Sequence, residues 1–420
     1  MNIKTLKGMK DILPSESAKW QYIEDTIRKI CAKNGFFEVR TPVLEHSELF
    51  LRGVGETTDI VQKEMYTFTD KGQRSVTLKP EGTAGVVRMF CEHNLGFEPQ
   101  PIKMYYLYSP IFRYENPQAG RLREHHQFGV ELFGAKLAVA DAECIALVFE
   151  LLRTLGVKNL SVSINSIGCK RCRPTYNAKL KEYLQSRADC LCEICKTRLN
   201  QNPLRILDCK NPECKSVCAE APKTLDFLCE ECDSHFTGLK TYLDALEINY
   251  IVNPFIVRGL DYYTKTVFEV VSNALGSQDA VCGGGRYDDL VSELGGPDTP
   301  AVGFGMGMER LIMMLENMGI ELPEQKKTDV YIASMGNAAL LSSVKLAYEL
   351  RDLGVYAEFD HVGRSLKAQF KYADKAGAKN VITIGENELE SKTIKLKNMQ
   401  SGTETECGLS AQKIKEMIEK

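Results

Sequence analysis

The chain has no long hydrophobic run and no large excess of either charge. No stretch approaches the roughly 18 uninterrupted apolar residues that predict a transmembrane helix. The N-terminal sequence MNIKTLKGMKDILPSESAKW has no apolar segment of the signal-peptide type, so we expect a cytoplasmic protein with no membrane partner. The net charge of −3 does not point to a nucleic-acid partner, although such binding can depend on a local basic patch.

Internal repeats and low-complexity tracts are also absent. The composition is that of an ordinary globular protein, with 44% hydrophobic and 26% charged residues in a chain of 420. A chain of this length predicts about two or three domains, with ample residues to bury a hydrophobic core.

The 15 cysteines are unevenly placed, because ten of them fall between Cys169 and Cys232. Without a secretory signal, disulfides are disfavoured and metal binding is a stronger candidate role for the cysteines. Three pairs have the Cys-x-x-Cys spacing of zinc ligands, and three further cysteines are looser candidates. These cysteines are Cys169, Cys172, Cys192, Cys195, Cys229 and Cys232, then Cys209, Cys214 and Cys218.

Two interpretations of this cysteine-rich segment stay open. In one, Cys169, Cys172, Cys192 and Cys195 contribute to a structural zinc site. In the other, the cysteines are reduced and bind no metal. We favour the metal-free interpretation because the pairs are separated by irregular distances, and spacing alone does not fix the geometry of the ligands.

The patterns along the chain predict a mixed first part and a distinct last part. Strand and helix patterns extend to about residue 319, with a small inserted domain over 169–235. The charged, proline-containing segment 320–328 predicts a linker. After it, strand patterns alternate with helix patterns, which predicts a small α/β domain with a largely parallel sheet.

The segment Arg258-Gly-Leu-Asp-Tyr-Tyr263 predicts a polar pocket. Arginine stays protonated and presents a planar fork that suits a carboxylate or a phosphate. Tyr262 and Tyr263 supply directional hydroxyl groups on apolar rings. This combination is costly to bury for structure alone, so we expect it to bind a ligand.

A second polar group surrounds residues 113–131, where a strand, a polar loop and a second strand predict a hairpin. The two-residue period of a strand places Gln127, Gly129 and Glu131 on one face, with Arg113 near the other end of the hairpin. That face could hold an anion-binding cation and a carboxylate. Taken alone, a solvated hairpin with cross-strand ion pairs is the favoured interpretation.

The segment TLKPEGT offers a carboxylate and a hydroxyl group beside a turn. Glu81 and Thr83 could hold an ammonium group. They could equally mark the start of a helix, with Thr83 near the N-cap.

A further candidate is the glycine-rich segment GFGMGMER, from Gly303 to Arg310. The alternating glycines fit a strand that something planar approaches closely, and Arg310 falls in the first turn of the following helix. A cation opposes the helix dipole there, which suggests phosphate binding, although a solvated arginine is the alternative. The run CGGGRYDDLV, which begins at Cys282, fits either a close backbone approach to a ligand or a tight turn.

Together these segments closely resemble the histidyl-tRNA synthetases, a family of class II aminoacyl-tRNA synthetases. GMKDILP, GFFEVRTPVLE and LKPEGTAG match near the N-terminus. FRYENPQAGRLREHHQFGVELFG and AVGFGMGMERL resemble the second and third class II motifs, while RGLDYYTKTVFEV and CGGGRYDDLV resemble the two segments peculiar to the histidine enzymes.

The resemblance implies a domain arrangement. An α+β catalytic domain built on an antiparallel sheet would occupy residues 1–325, with the cysteine-rich insert at about 169–235. An α/β anticodon-binding domain would occupy residues 326–420. GFFEVRTPVLE resembles the motif that forms the dimer interface in class II enzymes, so a homodimer is expected.

The resemblance also implies roles for site residues. Arg113 and Arg258 would be catalytic and hold the ATP α-phosphate and the histidine carboxylate, and Arg310 would grip the γ-phosphate. Mg²⁺ would bind mainly through ATP oxygens. The implied ATP-binding residues are Arg113, Glu115, Arg121 and Arg310; the implied histidine-binding residues are Glu81, Thr83, Gln127, Glu131, Tyr262 and Tyr263.

The implied partners are ATP, L-histidine and tRNA. Arg364, Lys367 and Lys371 are candidate tRNA phosphate contacts, whereas Asn116 replaces an arginine that many relatives carry. The alternative is a non-catalytic paralogue that regulates ATP phosphoribosyltransferase in histidine biosynthesis, but such proteins lack the tail domain and lose the substrate motifs. A non-enzymatic tRNA-binding module would need no intact ATP site.

Overall fold

The computed structural model describes residues 3–55, 58–118, 120–271 and 280–419, apart from the side chains of Tyr108 and Ser109. Ala119, in the predicted motif-two loop, lies outside the described residues. The chain divides into two compact units, Met1–Pro323 and Glu324–Lys420. Within the described ranges, no helix is both long enough and apolar enough to span a bilayer.

The first unit contains a large sheet and a small one. Its strands are β1 (Phe37–Glu38), β2 (Leu44–His46), β3 (Tyr66–Thr69), β4 (Ser75–Leu78), β5 (Ile102–Phe112), β6 (Glu124–Phe133), β7 (Ser161–Ser166), β8 (Tyr250–Val252), β9 (Thr264–Val271), β10 (Ala280–Arg286) and β11 (Ala301–Gly307). Among the described residues the large sheet has the order β1-β5-β6-β11-β10-β9-β7-β8, and the small sheet has the order β2-β4-β3. Only the outer pairs β1–β5 and β7–β8 of the large sheet are parallel. The predicted antiparallel framework is therefore confirmed.

The described part of this unit also contains helices. They are α1 (Pro14–Lys33), α2 (Ser47–Val54), α3 (Thr83–Glu92), α4 (Val139–Thr154), α5 (Arg173–Gln185), α6 (Glu193–Gln201), α7 (Pro212–Ala219), α8 (Glu230–Ala245), α9 (Leu290–Glu293) and α10 (Met308–Asn317). Of these, α1, α4, α8 and α10 contribute to the main core with the large sheet. Shorter helical turns occur at Ile60–Glu64, Leu95–Phe97, Ala188–Cys190, Pro203–Ile206 and Thr224–Phe227.

Helix α1 shows how the sequence pattern directs packing. Trp20, Ile23 and Ile27 recur at helical spacing and are buried against the main core. The helix ends before Gly35, whose φ of 74° is strained for residues with a Cβ. A glycine of this kind commonly follows the last residue of a helix.

The two faces of the large sheet have different chemistry. On β6, Phe128, Val130 and Leu132 belong to the main hydrophobic core, together with residues of α1 and α4. Gln127 and Glu131 alternate with them and therefore point to the opposite face. The predicted pattern of β6 is confirmed, and this second face carries the candidate site.

The cysteine-rich insert has a small core of its own. Tyr176, Leu180 and Leu199 pack there with several buried cysteines. The predicted end of the insert near residue 235 falls inside α8, and Leu239 and Leu243 of that helix pack in the main core. The insert is therefore joined to the sheet through a continuous helix.

The second unit is an α/β sheet with strand order β13-β12-β14-β15-β16. Its elements are β12 (Val330–Ser334), α11 (Asn337–Asp352), β13 (Ala357–Phe359), α12 (Leu366–Lys375), β14 (Asn380–Ile384), α13 (Glu386–Ser391), β15 (Thr393–Asn398), β16 (Glu404–Gly408) and α14 (Ala411–Ile418). The pairings of β12 are parallel, but β15 is antiparallel to both of its neighbours. The prediction of a largely parallel sheet is thus only partly correct, because β15 and β16 add antiparallel pairings at one edge.

Candidate active site

A cavity of about 860 Å³ lies over the second face of the large sheet. Among the described residues, six cationic and three anionic side chains line it, which favours an anionic ligand. It brings together the following predicted site residues: Arg113, Glu115, Arg121, Gln127, Arg258 and Arg310. The structure therefore gathers residues that are far apart in sequence around one polar space.

Arg258 precedes β9 and lies against β10. Its Nη1 donates to Glu269 Oε1 on β9, which orients the guanidinium group. A Cβ at Gly283 would overlap with that guanidinium, so glycine on β10 leaves room for the arginine in this position. The sequence predicted a ligand or a tight turn at the CGGGR run, and the structure places an arginine side chain against Gly283.

Arg113 sits where the predicted hairpin leaves the sheet. Its Nε donates to the Pro80 carbonyl at 2.7 Å, and its backbone N–H donates to the Arg123 carbonyl at 2.8 Å. The Glu115 carboxylate lies 3.9 Å from Nη1. Strands β5 and β6 pair antiparallel, as predicted, and fix Arg113 at the edge of the cavity.

Arg310 enters the same cavity from the first turn of α10, as predicted. Gly305 and Gly307 of β11 also line the cavity. A Cβ at Gly303 would collide with Glu131, and one at Gly305 would collide with Gln127. The alternating glycines therefore make room first for side chains that cross from β6.

Glu131 is fully buried in the middle of the second face. One carboxyl oxygen accepts from Thr83 Oγ1 at 2.8 Å, and the other accepts from the Tyr287 hydroxyl. Burial raises the pKa of Glu131 to about 8, against the opposing effect of these hydrogen bonds. A carboxyl group in this environment needs a polar partner to become charged.

The predicted tyrosines lie beside this carboxyl group. The Tyr262 hydroxyl donates to Glu81 Oε2 at 3.5 Å, and the rings of Tyr262 and Tyr263 have centroids 4.6 Å apart. Burial raises the pKa of Tyr263, so its hydroxyl keeps its proton and can donate a hydrogen bond.

The helix-start interpretation of the TLKPEGT segment is confirmed in the structure. Glu81 accepts from the backbone N–H groups of Thr83 at 2.8 Å and Ala84 at 2.6 Å, so it caps the start of α3. The same carboxylate faces Tyr262 inside the polar cluster. Glu81 therefore links a helix end to the candidate pocket.

Gln127 joins the cavity to this buried cluster. Its Oε1 atom is buried and has no hydrogen-bond partner among the residues that the structure describes. A buried amide oxygen without a partner costs free energy, which a ligand donor would recover. Gln127 thus presents an acceptor at the inner end of the cavity.

Sequence reasoning missed two tyrosines of the cluster, Tyr106 and Tyr287. The Tyr106 ring occupies the space that Cβ atoms would need at Gly82 and Gly129. Tyr106 pairs with Gly129 across β5 and β6, so a tyrosine opposite a strand glycine was the available signal. Tyr287, whose hydroxyl donates to Glu131, lies two residues after the last glycine of the run.

Arg286 stabilises the fold through several buried hydrogen bonds. It is fully buried and donates to Asp141 through Nε, at 3.2 Å to each carboxylate oxygen, and through Nη2. It also donates to the Ala135 carbonyl at 2.8 Å and to Asp288 at 3.1 Å. The polar end of the CGGGR run therefore braces the sheet against α4, away from the cavity.

Replacing Arg286 by methionine should lower the free energy of unfolding by about 3–5 kcal/mol, because Asp141 would stay buried without its cation. Urea denaturation followed by fluorescence of Trp20, the single tryptophan, measures the loss in the first unit. Adding Asp141→Leu should recover most of it, since removing both charges is far less costly than removing one. An unchanged unfolding midpoint for Arg286→Met would contradict this role.

Asp261, to which the sequence assigned no role, connects the RGLDYY segment to the insert. Its Oδ1 accepts from Asn202 Nδ2 at 3.2 Å and from Arg205 Nη2 at 3.4 Å. Arg205 also donates to the Gly259 carbonyl at 2.5 Å. No local sequence pattern could reveal contacts between segments more than 50 residues apart.

The cysteines predicted as zinc candidates do not form one group. Cys169 and Cys172 lie with Cys229 and Cys232, whereas Cys192 and Cys195 lie with Cys209 and Cys214. Each of the 15 cysteines is a free thiol.

The comparisons with known proteins agree with this geometry. Residues 8–311 match the family model described as histidyl-tRNA synthetase, and residues 329–420 match that of the anticodon binding domain. The histidine–tRNA ligase of Caldanaerobacter subterraneus subsp. tengcongensis is 58% identical over 97% of each chain. That of Clostridium perfringens is 54% identical over 100% of each chain.

A solved structure gives the same result for the fold. The apo histidyl-tRNA synthetase of S. aureus superposes with a TM-score of 0.82 at 39% identity, over 100% of this chain and 99% of that one. The catalytic fold and the anticodon-binding fold inferred from the sequence are confirmed. From the match of both parts and the identity over the whole length, this chain belongs to the histidyl-tRNA synthetase family.

Proposed function

We propose that the chain attaches L-histidine to tRNA in two steps. In the first, a histidine carboxylate oxygen attacks the ATP α-phosphorus, which forms histidyl-adenylate and expels pyrophosphate. In the second, a terminal ribose hydroxyl of the tRNA attacks the adenylate carbonyl and expels AMP. The observation that carries the proposal is a cavity with four arginines that adjoins a buried cluster of carboxyl and tyrosine groups.

Arg113, Arg258 and Arg310 are suited to the phosphate side of this reaction. The attacking carboxylate is already ionised at neutral pH, so the first step needs positioning and charge stabilisation and no general base. Arg113 and Arg258 would bind the α-phosphate and the carboxylate, and Arg310 would bind the γ-phosphate. Mg²⁺ would arrive with ATP and be held mainly by phosphate oxygens.

Glu115 and Arg121 would complete the ATP site from the hairpin loop. His125 also lines the cavity, and burial together with repulsion from Arg113 lowers its pKa to about 4. A neutral histidine with so low a pKa is a weak base, which supports a first step that proceeds without one.

Glu131 and Tyr263 are suited to recognise the imidazole ring of the substrate. An imidazole has one N–H donor and one nitrogen acceptor when it is neutral. Glu131 would accept from the N–H, and the protonated Tyr263 hydroxyl would donate to the other nitrogen. Gln127 Oε1, with Glu81 and Thr83, would receive the α-ammonium group, and Tyr262 would line the pocket.

The second unit would bind the tRNA. Lys367 and Lys371 are exposed on α12 and are free to contact phosphates. Arg364 is already paired with Asp360 at 2.6 Å and lies over the Tyr372 ring, so its part in binding would be smaller. We propose these lysines as tRNA contacts.

A homodimer remains a proposal, as does a cytoplasmic location. The segment GFFEVRTPVLE leaves Phe37 74% exposed and Leu44 47% exposed, and a second copy of the chain would cover such apolar side chains.

The regulatory-paralogue alternative is not favoured. The chain retains the tail unit and matches histidine–tRNA ligases over its full length. It also keeps the arginines of the cavity, which a protein without an ATP site would not need.

Aminoacylation with labelled amino acids tests the proposal. Purified full-length protein with tRNA and MgATP should transfer labelled histidine to tRNA, and omission of ATP should abolish the transfer. Labelled glutamine and lysine serve as matched amino-acid controls and should not be transferred. Folded protein that transfers no histidine would contradict the proposed function.

A further inference from the structure

Eight cysteines of the insert converge into two groups of four. The first group consists of Cys169, Cys172, Cys229 and Cys232, and the second consists of Cys192, Cys195, Cys209 and Cys214. Within each group all the Sγ atoms lie within 4.8 Å of one another. In the first group Cys169 and Cys229 are 60 positions apart, so the fold itself brings the thiols together.

The sulfur–sulfur distances match a metal site. Cys169 Sγ lies 3.7 Å from Cys172 Sγ and 3.9 Å from Cys229 Sγ, and Cys192 Sγ lies 3.9 Å from Cys209 Sγ. Zn²⁺ bonds to thiolates at about 2.3 Å, and a tetrahedron of that size has edges of about 3.8 Å. A disulfide needs about 2.05 Å, so these groups are too open for disulfide bonds.

Donors around the sulfurs support thiolate ligands. The backbone N–H of Cys229 donates to Cys172 Sγ at 3.1 Å, and that of Cys192 donates to Cys214 Sγ at 3.2 Å. Arg171 Nη2 lies 3.8 Å from Cys229 Sγ. Hydrogen bonds and a nearby cation of this kind stabilise the negative charge of a metal–thiolate centre.

The other cysteines of the insert show the contrast. Cys218 is buried and its thiol meets the Ile206 carbonyl at 3.4 Å, and Cys190 is exposed; neither belongs to a group of four. Ordinary packing of a thiol therefore occurs in the same small domain without clustering. Two separate groups of four, each of tetrahedral size, are not explained by packing alone.

We propose that each group binds one structural Zn²⁺ ion through four cysteine thiolates. Binding would displace the thiol protons to solvent, and four protein ligands would leave no open position for catalysis. Among sulfur-only tetrahedral sites iron is the chemical alternative, and elemental analysis distinguishes the two metals. This proposal departs from the metal-free interpretation favoured from the sequence, because the thiols converge in groups of four.

The first site would clamp the base of the insert beside the histidine pocket. It ties Cys169, which follows β7, to Cys229 at the start of α8. Next to it, the Gly168 carbonyl accepts from the Lys265 N–H at 2.9 Å, and Arg173 donates to the Tyr263 carbonyl. A metal here would hold the insert against the backbone of the RGLDYY segment.

The second site would form part of the cavity wall. Cys209 lines the cavity, as do the neighbouring lysines Lys210 and Lys215. Cys209 precedes Lys210 and Cys214 lies in the first turn of α7, so a metal bound to both would fix residues 210–213 at the cavity. This consequence rests on the proposed function, whereas the presence of the metal does not.

Zinc content tests the proposal directly. Untagged full-length protein, purified without chelators from zinc-containing medium, should contain about two zinc ions per chain by elemental analysis. Cys169→Ser with Cys229→Ser should reduce the content to about one, and Cys192→Ser with Cys209→Ser should do the same. The matched controls Cys190→Ser and Cys218→Ser should keep about two.

A second measurement covers variants that fail to fold. Wild-type protein whose zinc has been exchanged for Co²⁺ should show the charge-transfer and d–d bands of tetrahedral cobalt thiolate, with an endpoint near two equivalents. Zinc below about 0.2 per chain without these bands in folded protein would overturn the proposal, as would stoichiometric iron. Neither readout depends on activity, so a failure here is distinct from a failure of the synthetase assignment.

Discussion

Replacing Arg258 by alanine should lower the rate of histidine-dependent ATP–pyrophosphate exchange by about 10²–10³-fold, the range for losing one charge-stabilising donor. The guanidinium lies at the cavity, is oriented by Glu269, and is accommodated by a glycine on β10. Negative charge develops between the α-phosphate and the leaving pyrophosphate, and a fixed cation there lowers the barrier. The loss should appear mainly in kcat, because the interaction is strongest in the transition state.

Two further variants separate charge from fold. Arg153→Ala removes an exposed arginine at the end of α4 and should leave exchange unchanged. Arg258→Lys keeps the charge but loses the planar fork, so exchange should fall to an intermediate value. Thermal denaturation should show a folded Arg258→Ala protein. Exchange within a few-fold of wild type in that folded protein would refute the assigned role.

The second large effect is expected for Glu131→Gln. A site that hydrogen-bonds a specific substrate group discriminates by about 10⁴–10⁵-fold, and this variant changes the acceptor for the imidazole N–H. We expect kcat/KM for histidine to fall by at least about 10³-fold while the KM for ATP changes little. Steady-state exchange kinetics with each substrate varied in turn measure both parameters.

The same substitution has a signature in the pH dependence of stability. The pKa of Glu131 is raised in the folded protein from 4.5 to about 8 by burial, so folding favours the protonated form. Its stabilising contribution is therefore complete below pH 4.5 and is lost as the pH rises through about 8. Glutamine does not titrate, so Glu131→Gln should lose less stability than the wild type between these values.

Glu124→Gln is the matched control, since Glu124 starts the same strand and lies outside the buried cluster. It should leave the kinetics with histidine unchanged. A Glu131→Gln enzyme that still selects histidine with near-normal kcat/KM would show that another side chain recognises the imidazole ring.

The sequence predicted the site best where a regular period governs the structure. The alternation along β6 correctly placed Gln127 and Glu131 on one face, because neighbouring side chains of a strand point to opposite sides. The helical spacing of Trp20, Ile23 and Ile27 likewise follows the buried face of α1. Position within a first turn was enough to place Arg310.

Features that depend on distant contacts could not be obtained this way. The grouping of Cys169 with Cys229, and of Cys192 with Cys209, depends on how the helices of the insert pack. The structural role of Arg286 follows from Asp141, which is 145 positions away on another element. In the sequence Tyr106 is an ordinary strand residue. Only the pairing register of β5 and β6 places it opposite Gly129.

The resemblance to the family contributed what periodicity could not. The residues from Arg258 to Tyr263 alone indicated a polar pocket, but they did not identify its ligand. Comparison of the motifs supplied histidine and ATP as the expected substrates, and the full-length match then confirmed the family. The individual residue roles stay proposals that the variants above test.

Pyrophosphate exchange in the absence of tRNA shows whether this site activates histidine with ATP. With purified protein, MgATP and labelled pyrophosphate, label should enter ATP when histidine is present and should not when histidine is omitted. Exchange should also fail with other amino acids. Folded protein that shows no histidine-dependent exchange would contradict histidine activation at this site.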